Sequence, residues 1–109
     1  FSSFPIQLPT VESDNYSAFH LFVIRLGYKE HQSKHAEIFA ELRQQGIGVN
    51  LHYMPVHLQP YYRDLGFGEG YCPIAEEYAK GAITLPLYPQ LKSEDQKQVV
   101  DTLKQVLDV

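Results

Sequence analysis

The sequence Ala18-Phe19-His20-Leu21-Phe22-Val23-Ile24-Arg25-Leu26, which ends at Gly27, is the first clear strand signal in the chain. Aromatic and β-branched residues dominate it, as they do in sheets. Its nearly continuous apolar character is typical of a strand covered on both faces. We therefore predict a β-strand over Ala18–Leu26 at a central position in a sheet.

Extended and helical patterns alternate on both sides of this strand. They follow from hydrophobic spacing, from capping residues and from Gly and Pro at the element ends. The predicted elements are an edge strand at Phe4–Leu8, a helix from an N-cap at Ser33 to Gly46, a strand at Ile47–Tyr53, a helical turn at Pro60–Leu65, a helix at Pro73–Lys80, a strand at Ala82–Leu85, and a helix that begins at Ser93 with Gln96 as its capping-box partner. This order predicts an α/β (α+β) two-layer sandwich, a small three- to four-stranded sheet with helices on one face.

Length and composition limit the class of protein. The chain has 109 residues, of which 44% are hydrophobic and 20% charged, so we expect one ordinary globular domain rather than a disordered tail or a coiled coil. A net charge of −4 disfavours nucleic acid as a partner. The apolar runs are shorter than the roughly 18 residues of a membrane span. Because Cys72 is the only cysteine, it has no internal disulfide partner, and we expect a cytoplasmic protein.

Ionisable and aromatic side chains concentrate in Leu51–Tyr62, which holds His52, Tyr53, Pro55, His57, Pro60, Tyr61 and Tyr62. Prolines stiffen a loop, and His and Tyr offer hydrogen bonds and flat apolar faces, as a binding site requires. The same pattern also fits a kinked connection whose tyrosines cover the core and whose histidines are solvated. Both interpretations stay open on these residues alone.

A metal site is a weaker hypothesis. His52 and His57 could meet at a turn, with Asp64 or Glu69 as a third ligand, but their spacing matches no defined zinc motif. The pair His31 and His35 is expected to be exposed rather than ligating.

Nucleophilic and phosphate-binding chemistry is also weakly supported. Cys72 precedes Pro73, so its thiol could lie at a helix N-terminus, but a lone cysteine is more often a small buried residue. Gly66, Gly68 and Gly70 do not follow a strand, and we interpret them as a flexible loop rather than a phosphate cradle.

Three segments, taken in order, resemble the C-terminal part of the DegT/DnrJ/StrS-type sugar aminotransferases. The segments are Ala18-Phe19-His20-Leu21-Phe22-Val23-Ile24, then Gly46-Ile47 leading to His52-Tyr53-Met54-Pro55-Val56-His57, then Pro73-Ile74-Ala75-Glu76 followed by Ile83-Thr84-Leu85-Pro86-Leu87-Tyr88-Pro89-Gln90-Leu91. The resemblance implies a pyridoxal-phosphate enzyme of the aspartate-aminotransferase fold that places an amine on a nucleotide-linked keto-sugar. Within the family it is nearest to enzymes that aminate C4 of a UDP-linked 4-keto-6-deoxy sugar for pseudaminic acid and related surface polysaccharides.

The resemblance also implies a division of labour between two domains. Residues 18–109 would form the small C-terminal domain, and residues 1–17 a linker from a large N-terminal domain that holds the cofactor and its lysine. None of the six lysines here lies in a matching motif, so we expect the chain alone to be inactive. The start of the chain at Phe1, without a methionine or signal-like segment, agrees with a piece of a longer protein.

In such an enzyme the small domain would close one wall of the cleft and bind the sugar nucleotide. The resemblance places His20, His52, Tyr53 and His57 at that wall. The implied partners are the nucleotide-sugar substrate, an amino-acid amine donor, the large domain and a second subunit, and exposed Tyr61, Tyr62 and Tyr71 would serve one of the last two. The alternative is a free-standing α/β module that binds a small ligand or a protein without catalysis.

Overall fold

The computed structural model describes residues 4–27 and 29–108. In chain order the elements are β1 (Ile6–Gln7), β2 (Phe22–Leu26), α1 (Lys29–Ser33), α2 (His35–Gln44), a 3-10 turn (Val56–Leu58), α3 (Pro60–Asp64), α4 (Pro73–Ala79), β3 (Ala82–Leu85) and α5 (Ser93–Val106). No helix in these two ranges is long and apolar enough to cross a lipid bilayer.

The three strands form one antiparallel sheet in the order β1-β2-β3. The predicted central position of β2 is therefore confirmed, and β1 is the edge strand expected near Phe4–Leu8. In the register of β2 and β3, Ile24 lies opposite Ile83 and Val23 lies opposite Thr84. Because side chains alternate across a strand, these two pairs point to opposite faces of the sheet.

The hydrophobic core lies on the face that carries Ile24 and Ile83. The long helices α2 and α5 cover this face with their buried residues, which are Ile38 and Leu42 from α2 and Val99 and Leu103 from α5. On the other face, the guanidinium carbon of Arg25 lies 5.4 Å from the ring centroid of Tyr78 on α4. The predicted two-layer α/β fold is confirmed.

Strand β2 is shorter than predicted, since it begins at Phe22 and not at Ala18. Phe19 has a φ of +44°, which interrupts an extended backbone, and its N–H donates to the Ser17 hydroxyl at 3.1 Å. His20 therefore lies ahead of the strand rather than in it, and its side chain is exposed.

The predicted helix cap at Ser33 is wrong. The Ser33 hydroxyl donates to the carbonyl of Glu30 at 2.6 Å, so Ser33 closes α1, and α2 begins separately at His35. Gly46 does end α2, with the positive φ of +84° that favours glycine.

The cap of α5 and the strand at Ile47–Tyr53 also differ from prediction. The carboxylate of Asp95, not Gln96, accepts the backbone N–H of Lys92 at 3.4 Å. The segment Ile47–Tyr53 pairs with β3 only through an isolated bridge between Asn50 and Thr84. The strand stops there because the N–H of Leu51 donates to the Asn50 side-chain oxygen at 2.8 Å instead of to a neighbouring strand.

Candidate functional site

The bridge between Asn50 and Thr84 positions His52. Two residues beyond this bridge, Nδ1 of His52 lies 2.8 Å from the hydroxyl oxygen of Thr84, whose side chain is buried in the sheet. The hydrogen bond fixes the imidazole plane and leaves Nε2 available to a ligand.

Tyr53 follows directly and projects into solvent. Its side chain is 71% exposed, and its ring meets that of His52 edge to face with 4.6 Å between the centroids. The peptide bond between the two residues is cis. Together they present an imidazole nitrogen and a phenol at one point of the surface, and both groups bind polar ligands well.

His57 belongs to a different arrangement. Its Nε2 lies 2.7 Å from Oε1 of Glu76 on α4, and their side chains are 8% and 16% exposed. The same carboxylate accepts the backbone N–H of Gly70 at 2.9 Å and that of Cys72 at 3.3 Å. We call these four residues the Glu76 hub. Its hydrogen bonds connect three positions of the loop, His57, Gly70 and Cys72, to α4.

The electrostatics of the hub follow from these bonds. The N–H of Gly70 and then the imidazole of His57 stabilise the carboxylate and lower the pKa of Glu76 below its ordinary value. Gly70 has a φ of +84°, a backbone conformation that glycine adopts without strain.

An aromatic row extends from the hub along the exposed side of the loop. The ring centroids of Tyr71 and Phe67 lie 4.8 Å apart, those of Phe67 and Tyr62 lie 6.2 Å apart, and those of Tyr62 and Tyr61 lie 5.3 Å apart. His57 and Tyr71 lie 6.2 Å apart by the same measure. Tyr61 and Tyr71 are largely exposed, as predicted. Because Tyr71 contacts His57 and lies between Gly70 and Cys72 in the sequence, the hub also positions this row of aromatic rings.

Of the predicted site residues, the structure brings His52 and Tyr53 together. It places His57 in the Glu76 hub and leaves His20 exposed ahead of β2. The roles of all four in substrate binding stay predictions.

Sequence reasoning gave no role to Glu76 or Thr84. Thr84 had a usable signal, since it is the one polar residue in the strand Ala82–Leu85. A hydroxyl in an otherwise apolar strand needs a hydrogen-bond partner once it is buried.

The other candidate chemistries receive little geometric support, although Cys72 does lie at the N-terminus of α4, as its position before Pro73 suggested. Among residues 4–27 and 29–108, no three His, Cys, Asp or Glu side chains lie close enough to hold a metal ion. His31 and His35, expected to be exposed, are both half-buried, and Nε2 of His35 lies 2.9 Å from the carbonyl oxygen of Ala82. Cys72 is a half-buried free cysteine rather than a fully buried one.

The lysines decide whether these residues fit a pyridoxal-phosphate site. All six lysine side chains are exposed, and three of them form surface ion pairs, with Glu30, Glu77 and Asp101. A lysine that holds this cofactor has to lie in an enclosed, partly desolvated pocket. The lysines of this chain do not fit that part of the cofactor site.

The chain belongs to the DegT/DnrJ/EryC1/StrS aminotransferase family, whose sequence pattern matches residues 1–104. The resemblance inferred from the sequence is thereby confirmed. The chain is 40% identical over 96 residues to a pleiotropic regulatory protein of Geobacillus stearothermophilus, covering 87% of the chain and 24% of that protein. It is 32% identical over 101 residues to the spore coat polysaccharide biosynthesis protein SpsC of Bacillus subtilis, covering 91% of the chain and 26% of SpsC.

Solved structures give the same result. The chain matches the apo form of Spr1654 from Streptococcus pneumoniae, described as a candidate sugar aminotransferase, with a TM-score of 0.89 and 30% identity, over 99% of this chain and 27% of that one. It matches S. venezuelae DesV, solved with a ketimine intermediate, with a TM-score of 0.79 and 30% identity, over 96% and 27% of the two chains. Spr1654 is also solved in its PLP form, and the family uses pyridoxal phosphate. The chain thus spans about a quarter of the length of the relatives it matches.

Proposed function

We propose that this chain is the C-terminal small domain of a pyridoxal-phosphate-dependent sugar aminotransferase. The observation that supports this proposal most strongly is the family match over residues 1–104, in a chain that spans only about a quarter of the length of its relatives. The exposed lysines agree with a cofactor held by another part of the full-length protein. In this proposal residues 18–109 form the small domain, and residues 1–17 lead into it from the large one.

The proposed substrate is a nucleotide-linked keto-sugar, specifically a UDP-linked 4-keto-6-deoxy sugar aminated at C4 for a cell-surface polysaccharide. SpsC supports the polysaccharide context, since its name assigns it to spore coat polysaccharide biosynthesis. The full-length enzyme would be cytoplasmic and homodimeric, with the aromatic row against the large domain or the second subunit. When bound, the cofactor supplies the electron sink through which an amine passes from an amino acid to the keto group.

The part played by this chain is to bind and orient the substrate. His52, fixed by Thr84, would offer Nε2 as a hydrogen-bonding group, and Tyr53 would add its phenol and its ring face. His20 would join them from the segment ahead of β2. His57 would contribute through the Glu76 hub, which holds the loop that carries Tyr53.

The test is an amine-transfer assay on the full-length protein and, in parallel, on residues 1–109. With an amino-acid donor and UDP-4-keto-6-deoxy sugars, we expect the full-length protein to form an amino sugar. Residues 1–109 alone should neither transfer an amine nor retain the cofactor's visible absorbance after dialysis, because the chain lacks a suitable lysine. Cofactor retained by the 109-residue chain, or a full-length protein inactive on every keto-sugar offered, would refute the proposal.

A further inference from the structure

The sheet face opposite the hydrophobic core carries an open groove of about 820 Å³. Its lining includes Leu8–Thr10 after β1, Leu21, Val23 and Arg25 in or next to β2, and Tyr78 of α4. The side chains of Leu21 and Val23 are half-buried, and the segment Leu8–Thr10 is exposed. The groove therefore leaves apolar side chains of the sheet in contact with water.

Tyr78 continues this surface onto α4. It also lines a neighbouring apolar depression, together with Cys72, Pro73, Ile74 and Ala75. The side chain of Ile74 is 87% exposed, although it lies on a helix. Scattered apolar residues are normal on a protein surface, but a continuous apolar patch marks an interaction site. We call the groove and the depression together the Arg25 face.

Arg25 is the one charged side chain among the described residues that line this face. Its Nε is buried and has no hydrogen-bond partner within residues 4–27 and 29–108, and no carboxylate of these ranges forms an ion pair with it. Its guanidinium carbon lies 5.4 Å from the centroid of the Tyr78 ring. The ring offsets part of the cost of burying a cation, and a carboxylate would offset the rest.

The composition of the Arg25 face is typical of a protein interface, where arginine and aromatic residues are enriched. A free small acid could reach Arg25, but it would leave Ile74 and the apolar groove uncovered. A protein segment with apolar side chains and one carboxylate would cover both. Arginine binds such a carboxylate through two parallel hydrogen bonds.

The comparisons favour the same polypeptide as the source of that segment. The fold of this chain is matched over 99% of its length within Spr1654, where it accounts for 27% of one longer chain. In the proposed function, residues 1–17 lead in from the large domain, and Leu8–Thr10 of this stretch lines the groove. The large domain would therefore join the small one beside the Arg25 face.

We propose that the Arg25 face docks against the large domain of the full-length protein, and that Arg25 pairs there with an aspartate or glutamate of that domain. The existence of the large domain rests on the proposed function. The choice of face and of Arg25 rests on the apolar patch and on the cation without an anion. In the docked protein, Tyr78 holds the guanidinium in place and apolar side chains cover Ile74.

The experiment is zero-length cross-linking of the full-length variant Arg25→Lys with a carbodiimide, which joins a lysine amine to a carboxylate in direct contact. We expect peptide mass spectrometry of the monomer-sized product to link position 25 to an Asp or Glu outside residues 1–109. The ion pair of Lys97 and Asp101 is the internal positive control. The wild type is the negative control, because a guanidinium does not react.

Three results would overturn the proposal: a link from position 25 to another residue of 1–109, a link to a second copy of the protein, or no link while Lys97 and Asp101 are joined. The measurement uses neither cofactor nor sugar. A full-length protein that fails the amine-transfer assay can still give the expected link, so the two proposals fail separately.

Thiol labelling tests the apolar part of the face in the same full-length protein. In a Cys72→Ser background, Ile74→Cys should react with a maleimide at least about tenfold more slowly than Gln105→Cys on the exposed side of α5, because thiol reactivity follows exposure. Within this chain both positions are exposed, so the difference would come from the docked domain. Equal labelling rates would show that Ile74 stays uncovered and would contradict the docking.

Discussion

The variant His57→Ala is expected to lose about 2–3 kcal/mol of unfolding free energy, the sum of a small cavity and a lost hydrogen bond to a charged group. The imidazole of His57 is 8% exposed and bonds to Glu76 at 2.7 Å, so water cannot simply replace it. Urea denaturation of the 109-residue chain measures the loss. The matched control is His20→Ala, an exposed histidine whose removal should change stability by less than about 0.5 kcal/mol.

The same network gives stability a defined pH dependence. The lowered pKa of Glu76 means that its carboxylate stabilises the fold above the ordinary value of 4.5, and this contribution is lost as pH falls through the lowered folded-state pKa. Glu76→Gln should remove that part of the acid sensitivity and speed hydrogen exchange at the amides of Gly70 and Cys72. Unchanged exchange at both amides, with His57→Ala as stable as His20→Ala, would show that the hub does not hold the loop.

Substitutions of His52 and Tyr53 should act on catalysis instead. In the full-length enzyme proposed above, Tyr53→Ala and His52→Ala are expected to lower kcat/KM for the proposed sugar-nucleotide substrate roughly 5-fold to 150-fold, which corresponds to about 1–3 kcal/mol of transition-state stabilisation. The physical reason is the loss of one hydrogen-bonding group, together with the ring face in the case of Tyr53. Steady-state kinetics at saturating amine donor measure this effect.

Two further variants show which part of Tyr53 matters and whether the effect is specific. Tyr53→Phe removes only the hydroxyl, so it separates the hydrogen bond from the ring. Tyr16→Ala is the control, because this tyrosine contacts no other described part of the present chain and is not among the proposed substrate-binding residues, so we expect unchanged kinetics. If both His52→Ala and Tyr53→Ala behave like Tyr16→Ala, the loop is only a solvated connection, and the substrate-binding role is wrong.

Hydrophobic patterning predicted the fold well where packing and local preference agree. The strand Ala82–Leu85 was predicted with its observed bounds, and α5 begins within one residue of its predicted start, since Ser93 is its first residue and Lys92, not Ser93, is its N-cap. Hydrophobic patterning predicted the wrong ends of elements where a side chain forms a hydrogen bond with a nearby backbone group. Ser33 bonds back to Glu30, and Asn50 takes the N–H of Leu51, so both contacts override the periodic signal.

The candidate site was only partly predictable for a related reason. The density of His and Tyr pointed to the loop, and the family resemblance pointed to His52, Tyr53 and His57 within it. Their supports, Thr84 and Glu76, are 32 and 19 residues away in the sequence from His52 and His57. Spacing within a loop carries no information about such distant contacts, which are created by the pairing of strands and the docking of α4.

The reactive lysine of the proposed full-length aminotransferase is expected to lie outside the present chain. Sodium borohydride reduction of the full-length protein, loaded with pyridoxal phosphate, fixes the cofactor covalently to its lysine, and peptide mass spectrometry then locates it. We expect a single labelled lysine outside residues 1–109. A label on Lys80, Lys104 or another lysine of this chain would contradict the claim.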